Sequence, residues 1–79
     1  MFINKTTEGN NLAGKNISLI RKEMNISQRE LADRMQLVGI DLDKNAIQRI
    51  EARKRFITDI ELKAFSKALN SSIDNLLKD

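Results

Sequence analysis

Apolar residues recur along most of this chain at the three- and four-residue intervals of a helix, and no stretch shows the sustained alternation of a strand. Ile17, Ile20 and Met24 predict a first helix from about Leu12 to Met24. Leu31, Ala32 and Met35 mark a second, ending near Leu37, and Ile47 and Ile50 a third, from about Lys44 to Ala52. Leu62, Phe65 and Leu69 mark a fourth, and Ile73, Leu76 and Leu77 a short fifth. Five short helices with short connections predict an all-α bundle.

The polar residues between these stripes agree with them. Asn10 or Asn11 can cap the first helix, and Asn25 can end it in a left-handed conformation. Ser27 with Glu30, and Thr58 with Glu61, have the spacing of capping boxes, each flanked by an apolar pair: Ile26 with Leu31, and Ile57 with Leu62. Asp43 can cap the third helix, Ser71 or Ser72 the fifth, and Asn70 closes the fourth. Residues 1–10 are polar and predict a flexible tail, leaving 11–79 as the folded domain.

Seventy-nine residues make one small domain. The chain has no cysteine and no histidine, which excludes disulfides, thiolate or imidazole metal sites and histidine acid–base chemistry. No carboxylate pair stands apart as an acid–base couple, so an enzyme is not expected, nor any cofactor or metal. No apolar run is long enough to span a membrane, and the N-terminus turns polar too soon for a signal peptide. A cytoplasmic protein is the expectation.

The net charge is +3, and it is unevenly placed. Between Lys44 and Arg55 stand Lys44, Arg49, Arg53, Lys54 and Arg55 against the single acid Glu51, so this segment carries +4 and the remainder −1. A local basic stretch on a balanced domain suits a polyanion. If Ile47 and Ile50 point inward, Lys44, Asn45, Gln48 and Arg49 face outward near the start of the third helix. Arg can grip guanine O6 and N7 with two donors, and Asn or Gln can pair with adenine N6 and N7 in the major groove. Ala46 could meet a thymine methyl.

The ordered run Ile20-Arg21-Lys22-Glu23, Ile26-Ser27-Gln28-Arg29-Glu30-Leu31-Ala32, Ile47-Gln48-Arg49-Ile50-Glu51, Asp59-Ile60-Glu61-Leu62, Ala68-Leu69 and Ile73-Asp74-Asn75-Leu76-Leu77 resembles the lambda-repressor-like, or Cro-like (XRE-type), helix-turn-helix regulators. The resemblance covers about residues 15–77. It implies a compact five-helix DNA-binding domain and a transcriptional regulator, a repressor, acting as a homodimer on a two-fold site of double-stranded DNA. It implies that Gln28, at the first turn of the second helix, clamps a phosphate, and that Arg53, Lys54 and Arg55 are further phosphate contacts. It also implies a partly buried ion pair between Arg21 and Glu51, charged residues that each lie in line with apolar neighbours.

The chain departs from that family in three places. Fifteen positions separate Ala32 from Ile47, about five more than is usual in the family it resembles. The extra residues Leu37, Val38, Ile40 and Leu42 are apolar and are expected to extend the core, together with Phe56. Arg53 stands where a glycine often follows the third helix, and Ser66 where alanine is usual; the Ser66 hydroxyl is expected to bond one turn back. Dimer contacts could come from the fifth helix or from Phe2 and Ile3. The competing function is an antitoxin-like or adaptor module that uses the same fold to bind a protein.

Overall fold

The computed structural model describes residues 9–79, so Phe2, Ile3 and most of the expected tail lie outside the described residues. Five helices follow in order: α1 (Gly14–Glu23), α2 (Gln28–Leu37), α3 (Lys44–Glu51), α4 (Asp59–Ala68) and α5 (Ile73–Leu77). Among the described residues there is no strand beyond an isolated bridge at Gly9.

Local chemistry sets the starts. Ser27 Oγ accepts from the Glu30 amide at 3.0 Å while Glu30 Oε1 accepts from the Ser27 amide at 3.1 Å, closing one capping box. Thr58 and Glu61 close the other in the same way, at 3.1 Å and 3.0 Å. Ser72, rather than Ser71, caps α5. Helix α1 begins two residues later than its apolar pattern suggests, with Ala13 in the cap position and no side-chain bond from it. Asn11 supplies the acceptor instead, its Oδ1 taking the Gly14 amide at 2.7 Å.

The ends of α1 to α4 share one device. Each places a residue with positive φ just past the cap: Asn25 (60°), Gly39 (95°), Arg53 (64°) and Asn70 (51°). The following amide then reaches back to a carbonyl of the last turn, as Ile26 does to Arg21, Ile40 to Met35, Lys54 to Arg49 and Ser71 to Ser66. Ser66 Oγ donates forward to the Ser71 carbonyl instead of back along α4, tying the same turn from its other side.

Ile17, Leu31, Met35, Ile47, Ile50, Phe65 and Leu76 are fully buried and form the centre of the core. Ala32 is also buried where α2 packs on α3, a position at which a small side chain lets two helix backbones approach. The connection between α2 and α3 spans 38–43 and only partly extends this core. Leu42 is buried and Ile40 packs against the core, but Leu37 is 87% exposed, and Val38 and Phe56 are exposed as well. The turn at Gly39 explains the split. Beyond it Ile40 and Leu42 turn toward the core, while Leu37, before it, lies on the outer side of α2.

Candidate nucleic-acid interface

Helix α3 is strongly two-sided. Asp43 Oδ1 caps it by accepting from the Ala46 amide at 2.8 Å. Ile47 and Ile50 are fully buried, and Lys44, Asn45, Gln48 and Arg49 are all exposed. None of these four side chains makes a hydrogen bond or ion pair among the described residues. They are therefore available to an outside partner at no internal cost. Ala46 is half-buried against the core and offers little methyl surface.

Three groups fix the pose of α3. Arg21 Nε donates to Glu51 Oε2 at 2.7 Å and its terminal nitrogen to Oε1 at 3.0 Å, a two-pronged pair across the α1–α3 contact. The other Arg21 terminal nitrogen donates to the Ile26 carbonyl at 2.9 Å, so the guanidinium also holds the loop before α2. The hydrogen bond to Glu51 raises the Arg21 pKa against the desolvation that would lower it. Gln28 Nε2 donates to Glu51 Oε1 at 3.0 Å, joining the first turn of α2 to the end of α3. Gly14 is the third group: a Cβ there would stand 2.1 Å from the Ile50 carbonyl oxygen, so the start of α1 lies directly against α3.

After α3 the chain makes a basic turn. Arg53 holds φ 64°, and its Nε donates to the Asn11 carbonyl at 3.2 Å. Lys54 is exposed, and its side chain makes no hydrogen bond or ion pair among the described residues. Arg55 points inward, donating to both carboxylate oxygens of Glu61 at 2.9 Å and 3.0 Å and to the Phe56 carbonyl at 3.0 Å. The Arg55 bonds hold the Glu61 carboxyl below the usual carboxylate range, helped by the Thr58 amide. Of the three basic residues expected at phosphates, the turn thus displays Lys54 outward and ties Arg53 and Arg55 into the domain.

Sequence reasoning missed the groups that hold this turn. Asn10 and Asn11, expected only as tail or cap, bond to it: the Asn10 amide donates to the Arg53 carbonyl at 2.8 Å, and its Nδ2 to the Lys54 carbonyl at 3.0 Å. Asn11 Nδ2 donates to the Ile50 and Arg55 carbonyls at 3.1 Å and 2.8 Å. The only local signal was a pair of asparagines before a helix, which reads equally as a cap. Glu61 likewise looked only like a capping-box residue.

Among the described residues no group of His, Cys, Asp or Glu is placed to hold a metal ion, and no helix is long and apolar enough to cross a membrane. A family model described as helix-turn-helix matches residues 17–76, which is more than half of the chain. Comparison with curated proteins and with solved structures gave no significant match.

Proposed function

We propose that this chain, which belongs to the lambda-repressor-like helix-turn-helix family of DNA-binding regulators, is a sequence-specific regulator of transcription that lays α3 in the major groove and binds a two-fold operator as a homodimer in the cytoplasm. The observation that carries the reading is the division of α3, with Ile47 and Ile50 wholly inside and Lys44, Asn45, Gln48 and Arg49 wholly outside. Four exposed polar side chains on one short, rigidly held helix supply the donors and acceptors that base edges demand.

The backbone contacts follow from the same pose. Lys54, exposed beside the end of α3, is the leading phosphate contact. At the first turn of α2 the Ser27 hydroxyl takes the Glu30 amide, leaving the Gln28 and Arg29 amides to an anion, with the Gln28 side chain held beside them by Glu51. Arg53 adds positive potential while serving the domain internally, and Arg55, balanced by Glu61, holds the turn beside it.

A second copy is the proposed occupant of the largely apolar groove of about 280 Å³ lined by Leu12, Ala13, Ile57, Leu62 and Leu77, with Thr58 and Asp59 beside them. Leu12 is 50% exposed there, and pairing this face with its own copy gives a symmetric dimer to match a symmetric site.

Selection of bound sequences from random duplex DNA tests this function. The expected product is one enriched motif with two inverted half-sites, about 34 Å or a multiple of it apart. Failure of any sequence to enrich would overturn the reading. It would then favour the adaptor function, for which the exposed apolar residues Leu37 and Ile60 (67% exposed) speak.

A further inference from the structure

The last turn of a helix leaves carbonyl oxygens without intrahelical partners. In α3 three of them are closed locally: the Ala52, Arg53 and Lys54 amides each reach back 2.9 Å, to the Gln48, Ile50 and Arg49 carbonyls. The carbonyls of the turn that follows are closed from some forty residues away in sequence. Arg53, Lys54 and Arg55 each present their backbone oxygen to a donor from Asn10 or Asn11. Asn11 also reaches the Ile50 carbonyl, and its Oδ1 takes the Gly14 amide, so one buried amide group (8% exposed residue) serves α1, α3 and the basic turn together.

We infer that Asn11, supported by Asn10, is a positioning residue for DNA binding: it holds the Arg53–Arg55 turn in the shape that presents Lys54 to the DNA backbone. The inference rests on the DNA-binding reading above. Arg53 and Lys54 are adjacent cations beside the Glu61-paired Arg55, and Arg53 occupies a left-handed conformation that its Cβ disfavours. Such a turn needs restraint from outside itself. The restraint here is chemically matched to the task, because neutral amides tie down the carbonyls without cancelling the positive charge. A carboxylate in the same place could not donate and would lower the potential that attracts phosphate. Asn11 is too buried to touch DNA, so its effect on binding has to pass through the turn.

The test compares wild type with Asn11→Ala and Asn10→Ala, both neutral substitutions, in binding a mixed-sequence duplex over a range of salt. Binding is measured where circular dichroism shows each variant fully folded. Ile17→Val, a core change away from the turn, controls for lost stability. Asn11→Ala is expected to reduce the slope of log affinity against log salt by about one, the equivalent of one phosphate contact. Asn10→Ala is expected to reduce it by less, and Ile17→Val to leave it unchanged. A wild-type slope in folded Asn11→Ala overturns the inference. If that variant does not fold, Asn10→Ala decides on the same criterion. Absence of salt-dependent binding by wild type would instead remove the DNA-binding reading, and this inference with it.

Discussion

Arg21 and Glu51 meet through two parallel hydrogen bonds, and their side chains are only 11% and 7% exposed. Burial makes the pair costly to break, because one removed partner strands the other charge away from water. Glu51→Ala is therefore expected to destabilise the domain by about 3–5 kcal/mol, a large share of what a chain this small possesses. The double variant Arg21→Met, Glu51→Leu should recover much of that loss, since no charge is left unpaired. Urea unfolding checks both; a loss under about 1 kcal/mol for Glu51→Ala would mark the pair as no better than an exposed one.

Gly14 opens α1, where alanine would ordinarily be the better helix former by roughly 1 kcal/mol. Here the sign should reverse. A Cβ at this position would lie 2.1 Å from the Ile50 carbonyl oxygen and 2.8 Å from Asn11 Oδ1. Relieving the overlap requires α1 to move off α3, so Gly14→Ala should cost about 2 kcal/mol or more. Thermal unfolding would show it, and any gain in stability would mean that the two backbones are not in contact.

Glu61 gives the domain an acid-sensitive link. Its folded pKa is lowered, first by the Arg55 hydrogen bonds. A lowered pKa contributes stability above the unfolded value, and that contribution disappears as pH falls through the folded value. Arg55→Ala should cost about 1 kcal/mol near neutral pH, kept small by the partial exposure of Arg55. The difference from wild type should shrink toward zero at acidic pH. A difference that stays constant across the acid range would show that Glu61 draws nothing from Arg55.

Lys54 should behave as a phosphate contact alone. Lys54→Ala is expected to weaken binding to every duplex about equally and to reduce the salt slope by about one. Titrations on two unrelated sequences at several salt concentrations check this. An unchanged slope would take Lys54 off the contact surface.

What could be read from the sequence was what neighbours in the chain decide. Ser27 with Glu30, Thr58 with Glu61, Asp43, Asn25 and Asn70 act within a few residues of themselves, and each takes up its expected place at a helix end. The all-helical fold followed from the same short-range pattern. The expected core extension did not survive in full: Leu37 and Val38, before the Gly39 turn, are exposed, and in the connection Leu42 is buried while Ile40 is partly buried against the core. The partners of the basic turn were invisible for another reason. Asn11 and Arg55 are 44 residues apart, and no local period records that the start of α1 folds back over the end of α3. The outward residues of α3 were legible because Ile47 and Ile50 fix which side faces in.

Helix α3 is proposed to read bases, and Arg49 is the residue on which that reading turns. The measurement is the affinity of wild type and Arg49→Ala for the selected operator and for a scrambled duplex of equal length, at one salt concentration. A loss of about 1–3 kcal/mol is expected on the operator and a much smaller loss on the scrambled duplex. Equal losses on both would contradict that reading and make Arg49 a backbone contact.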